Sequence, residues 1–220
     1  MSATAIMQER RRALIRAWTR DPLILVQAEA PGALPGLVFL DDFGASANVA
    51  RAGRIRAGNA AVVRRPGAAH DNASLWVAAG YEGYRAAYLR FLAEVYDERA
   101  SAAELDGWDI DHLLNRARAP EASCFVRVEA IPANANRQWG SLFEKAASDP
   151  RFYANRERAR RTMSWMICAK LAGKPPPRGP EDAAQMEHLA TFFASIGLPA
   201  EEARRGVGQM LDFVYGAGAR

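Results

Sequence analysis

Residues 108–140 read WDIDHLLNRARAPEASCFVRVEAIPANANRQWG, and the folding of this stretch decides what the rest of the chain surrounds. WDIDH places an aspartate directly before one of only three histidines, in an apolar, strand-like setting. FVRVE (125–129) reads as a second strand after a loop, and Pro132 sits where a proline opens a helix, predicted over 132–147. On an extended strand, adjacent side chains point to opposite faces, so Asp111 and His112 serve two different directions, while Asp109 shares the face of Asp111.

Such a pair suits metal-assisted cleavage of a phosphodiester. A divalent cation neutralises the scissile phosphate and the leaving oxygen, and a neutral imidazole takes a proton from the attacking water. Magnesium prefers oxygen ligands and keeps several waters, so one or two carboxylates or amides are enough. The expectation is an aspartate on the metal, with the histidine reaching the phosphate through an open groove. A second oxygen ligand would come from the helix that follows the hairpin.

The pattern apolar-Asp-His-apolar, then a strand, then Asn-Arg-x-x-Gly opening a helix resembles the HNH, or ββα-metal, endonuclease superfamily. Ile110-Asp111-His112-Leu113 matches its first strand, Phe125–Glu129 its second, and Ala135-Asn136-Arg137 with Gly140 the start of its helix. The wording is similar to HNH domains of bacterial polymorphic toxins. The resemblance covers 108–147. It implies His112 as general base, Asp111 and Asn136 as metal ligands, with Asp109 as a further ligand and Asn134 as the rival of Asn136. It also implies Arg137, Lys145 and Arg127 as phosphate-binding residues. The cofactor it implies is magnesium, with manganese or another divalent ion as the alternative. The chain departs from the family pattern in having Phe143 and Glu144 where many members carry a later histidine, and in lacking the cysteine knuckles of zinc-braced members.

Composition allows this. The 220 residues carry a net charge of +4, and of 29 cationic residues only Lys145, Lys170 and Lys174 are lysine. Arginine pairs bidentately with phosphate, which favours nucleic acid, although a coding bias toward arginine gives the same excess. Arg51, Arg54, Arg56, Arg64 and Arg65 fall in one acid-free stretch, 51–65, read as a β-hairpin around Gly58-Asn59 with a cationic, nucleic-acid-facing side. Cys124 and Cys168 stand alone, as reduced thiols of a cytoplasmic protein do. MSATAIMQERRRALIRAW has no apolar core of a signal peptide, and no apolar run is long enough to span a membrane.

Helices are further predicted at 7–20, 74–99, 149–171, 181–195 and 200–215, and strands at 23–27 and 37–43. The apolar stripe Tyr81, Tyr84, Tyr88, Phe91, Leu92, Val95 reads as core. The letters DFG after Asp41 lack any kinase companion motif and read as a turn. His70 reads as a loop residue and His188 as a helix residue at a core position. The fold class expected is α+β, with an HNH-like ββα motif inside a mainly helical protein whose N-terminal portion is β-rich. Expected segments are 1–100 (hairpins and a long helix), 101–172 (the nuclease module), the linker 173–180, and a helical pair within 181–220.

The function expected is a divalent-metal-dependent endonuclease acting on DNA, with RNA left open, as a toxin or a phage or mobile-element enzyme. A toxin implies a cognate inhibitor protein and export by a specialised secretion system. The alternative is a non-catalytic nucleic-acid-binding or phage-associated structural protein with a degenerate HNH fold.

Overall fold

The computed structural model describes residues 1–28, 38–42, 59–64, 73–116, 119, 121, 124–144, 161–212 and 215, with the backbone alone at 38–42, 64 and 143–144. Helix α1 (Ala3–Arg20) starts where the Ser2 hydroxyl accepts from Ala5 N and stops at Asp21, ahead of Pro22. Its buried positions Ala3, Ile6, Met7, Arg10, Leu14 and Trp18 recur every three or four residues, so one stripe faces inward along its whole length.

That stripe lies against one antiparallel sheet. The strands are β1 (Leu25–Ala28), β2 (Val38–Asp42), β3 (Ala60–Arg64), β4 (Ser74–Ala78), β5 (Trp108–His112), β6 (Phe125–Pro132) and β7 (Arg161–Thr162), in spatial order β2-β3-β4-β6-β1-β7. Strand β5 pairs β6 over Trp108↔Pro132 to His112↔Val128. Strand β6 is therefore the spine. Its first half runs between β4 and β1, and its second half carries β5.

Helix α2 (Tyr84–Tyr96) covers one face, where Tyr88, Phe91 and Leu92 meet Leu75, Val77, Ile110 and Val128. The stripe on α2 is core, as its spacing predicted. The second core gathers the end of α1 with α3 (Ala133–Trp139), α4 (Trp165–Leu171), α5 (Ala183–Ser195) and α6 (Ala200–Leu211). No described helix is long and apolar enough to cross a membrane.

The α+β class stands, and four element boundaries differ from expectation. Ser74–Ala78 is a strand, not the start of a helix: SLWVA lies mid-sheet between β3 and β6, buried at every position, where a continuous apolar run suits a strand. In the predicted hairpin, Ala60–Arg64 is a single strand paired with β2 and β4, and 51–58 lies outside the described residues. Helix α3 gives way at Gly140 to a wider π-type turn through Glu144. Arg161–Thr162 pairs with β1, and α4 begins later, where Ser164 caps Ile167 N. The linker around 173–180 is non-helical and packed down: Trp139 Nε1 donates to Lys174 O and Tyr215 Oη to Pro177 O. Because β4 and β6 pair, segments 1–100 and 101–172 share one sheet.

Candidate active site

Strand β5, strand β6 and α3 follow one another, and the alternation of β5 sorts its side chains as the sequence implied. Ile110 turns to the α2 core, and Asp109 and Asp111 turn to the side of α3 and α4. Asn136 Nδ2 donates to Asp109 Oδ2 at 3.1 Å, and Arg137 Nη2 lies 3.6 Å from Asp109 Oδ1. Asp111 meets Lys170 of α4, with Nζ 3.5 Å from Oδ2. Both carboxylates keep contact with solvent, Asp109 at 20 % and Asp111 at 28 % side-chain exposure. Asn136, not Asn134, faces this cluster; Asn134 is exposed and accepts from Gln138 Nε2 on its own helix.

Buried polar atoms without a hydrogen-bond partner include Asn136 Oδ1 and His112 Nε2. An amide oxygen lacking a donor, next to the Asp109 carboxylate and on the side of the strand that Asp111 shares, has the donor chemistry of a hard-cation site, so the residues fit magnesium by type. Charge favours a cation less: Lys170 and Arg137 already offset Asp111 and Asp109. Among the described residues no three His, Cys, Asp or Glu side chains converge as a ready metal cluster.

His112 departs from expectation. Among the described residues the side chain is 4 % exposed and does not face an open groove, its ring lying 4.5 Å from that of Tyr84 on α2. The cause is the same alternation: the neighbour of an outward Asp111 must turn to the α2 side, where helix packing seals it. Burial pulls its pKa down to about 4, against the opposing pull of Asp111 and with help from Arg116 and Lys170, so the ring is neutral at pH 7. Its Nδ1 stands 3.9 Å from Asp111 Oδ1, beyond hydrogen-bonding distance.

Arg127 is a second correction. Its Nε and Nη2 donate to Glu129 Oε1 at 3.0 and 2.7 Å, because residues two apart on β6 share a face; the guanidinium is committed to a buried carboxylate, not held ready for phosphate. Arg137, by contrast, is 75 % exposed. Lys145, Arg51, Arg54, Arg56, Arg65 and His70, together with the side chains of Arg64 and Glu144, lie outside the described residues. His188 is exposed on α5 and is not at the core position expected.

No protein-family model matches the chain, and no curated protein or solved structure matches it either. The residues and their geometry carry the functional reading.

Sequence reading missed Lys170. A lysine in the last turn of a helix reads as a cation at the negative end of the helix dipole. No local spacing connects it to a strand more than fifty residues upstream. A cavity of about 500 Å³ opens elsewhere, between α1 and the end of α2. Its Arg10, Glu9 and Glu94 are already paired, with Glu129, Arg16 and Arg90 respectively.

Proposed function

We propose that the chain is a divalent-metal-dependent phosphodiesterase of HNH type acting on DNA. One observation carries this reading: β5 turns Asp109 and Asp111 to one partly open side, and Asn136 of the helix that follows β6 donates to Asp109 while its Oδ1 has no donor. Asp111 and Asn136, with Asp109, would hold magnesium or manganese, which supplies charge neutralisation at a scissile phosphate. Exposed Arg137 is positioned to meet the phosphate from the helix side. His112 offers the neutral imidazole a general base needs. To meet water it must come out from under Tyr84, so hydrolysis on this reading includes an opening between α2 and β5. A toxin role, with its inhibitor protein and export route, is attached to this reading through the resemblance of 108–147 alone.

The sealed ring and the Lys170–Asp111 pair favour a second reading, a non-catalytic nucleic-acid-binding protein that keeps the ββα shape. Plasmid nicking with magnesium or manganese separates the two. On the first reading the purified chain nicks DNA, and His112→Ala slows this by about 100-fold or more, the usual contribution of a general base. Equal rates would remove the catalytic role. DNA retention without nicking, and without heat on titration with either ion, would favour the second reading.

A further inference from the structure

The face formed by Asp109, Asp111 and Asn136 contains a cation of its own. Lys170 is 1 % exposed and approaches Asp111 from the protein interior, whereas Asp111 opens toward solvent. An ammonium withdrawn from water needs counter-charge, and Asp111 supplies some of it at 3.5 Å. Among the described residues, charged groups near Asp111 have partners of their own. Glu129, its partner across the ladder, takes Arg10 Nη2 at 2.6 Å and Arg127 Nη2 at 2.7 Å. Arg137 stands by Asp109, and His112, the adjacent ring, is uncharged at pH 7.

We infer that Lys170 is a resident counter-ion: its ammonium and a divalent cation compete for the Asp111 carboxylate, so Lys170 sets the cation affinity of this face. The inference rests on reading the face as a cation site. Two cations within a few ångströms of one carboxylate repel each other, so an incoming ion must displace the ammonium or bind against it. Without ion, Lys170 holds the strand carboxylate in place. With ion, the ammonium gives up that contact.

Calorimetric titration of the full chain with manganese tests this on wild type, Lys170→Met and Asp111→Asn, with the fold of each checked by circular dichroism. Lys170→Met is expected to bind about tenfold tighter than wild type, equivalent to about 1.4 kcal/mol, and Asp111→Asn at least about tenfold weaker. Equal affinity in wild type and Lys170→Met, with Asp111→Asn weakened, overturns the inference and leaves the cation face standing. No binding by any folded variant overturns both.

Should Lys170→Met not fold, lysine acetylation of the wild type gives an independent measure, since only three lysines need to be told apart by mass spectrometry. Acetylation of Lys170 is expected to rise several-fold at saturating manganese. Unchanged labelling at saturation overturns the inference.

Discussion

Asn136 Nδ2 donates to Asp109 Oδ2 at 3.1 Å and ties the first turns of α3 to strand β5 across 27 residues of chain. The amide thus presents its nitrogen to one carboxylate and leaves its oxygen without a donor. Asn136→Asp would set a second carboxylate against Asp109. Without divalent ions this variant is expected to lose about 1–2 kcal/mol, roughly 2–8 °C in melting temperature for a chain of this size. Millimolar magnesium or calcium should recover most of that loss. A melting temperature that stays depressed with either ion argues against an oxygen-donor site here.

Acid sensitivity provides a second test, through His112. Its folded pKa, about 4, lies below the ordinary 6.5. A group with a depressed folded pKa takes up its proton first in the unfolded chain, so the stability tied to its neutral form is complete above about pH 6.5 and disappears as pH falls toward 4. A gap of this width corresponds to about 3 kcal/mol. His112→Phe, which keeps a ring against Tyr84, should lose correspondingly less stability between pH 7 and pH 4 in urea melts. Parallel pH profiles would show that the ring is reached by water.

Arg10 and Glu129 predict a large effect far from any chemistry. Both side chains are 2 % exposed, Arg10 Nη2 lies 2.6 Å from Glu129 Oε1, and a second Arg10 nitrogen donates to Ala73 O. Burial alone would raise the carboxyl pKa of Glu129, but the Arg10 and Arg127 guanidiniums outweigh it and hold the pKa below the usual range. Arg10→Met is expected to cost about 3 kcal/mol, because it leaves a buried carboxylate with Arg127 as its remaining guanidinium partner. Arg10→Met combined with Glu129→Leu should be milder than the single change. Denaturant titration reads both.

Gly206 of α6 sets two effects against each other. Alanine would favour the helix by about 1 kcal/mol. A Cβ there, however, would lie 2.3 Å from Trp165 Cε2, and that indole is held edge-on by Trp18 and Phe193 at 5.3 and 4.7 Å. The clash should win, with Gly206→Ala losing about 1–2 kcal/mol net. A raised melting temperature would mean that the aromatic cluster can shift.

The elements legible in the sequence were those whose signals are local. Helix α1 announces its end at Asp21-Pro22, and α6 its start after Pro199, while the 3.6-residue stripe through Tyr88, Phe91 and Leu92 marks the core face of α2. Strand β4 was missed because SLWVA is apolar at nearly every position, and such a run carries neither the helical nor the alternating period. In the site, alternation along β5 predicted that Asp111 and His112 diverge. It carried no information about what would lie over each face. The Tyr84 ring over His112 and the Lys170 ammonium beside Asp111 come from helices distant in sequence, so only tertiary packing could reveal that one group is sealed and the other already has a cation.

Strand β6 exchanges ladder bonds with β4 and β1 along its first half and with β5 along its second. The hairpin and helix that carry Asp111, His112 and Asn136 are therefore not a portable cassette. Grafted onto another scaffold, or cut free as a peptide, they would leave both flanks of Phe125–Val126 bare and would lose the arginine that reaches Glu129 from α1. Any chemistry this surface performs belongs to the intact chain.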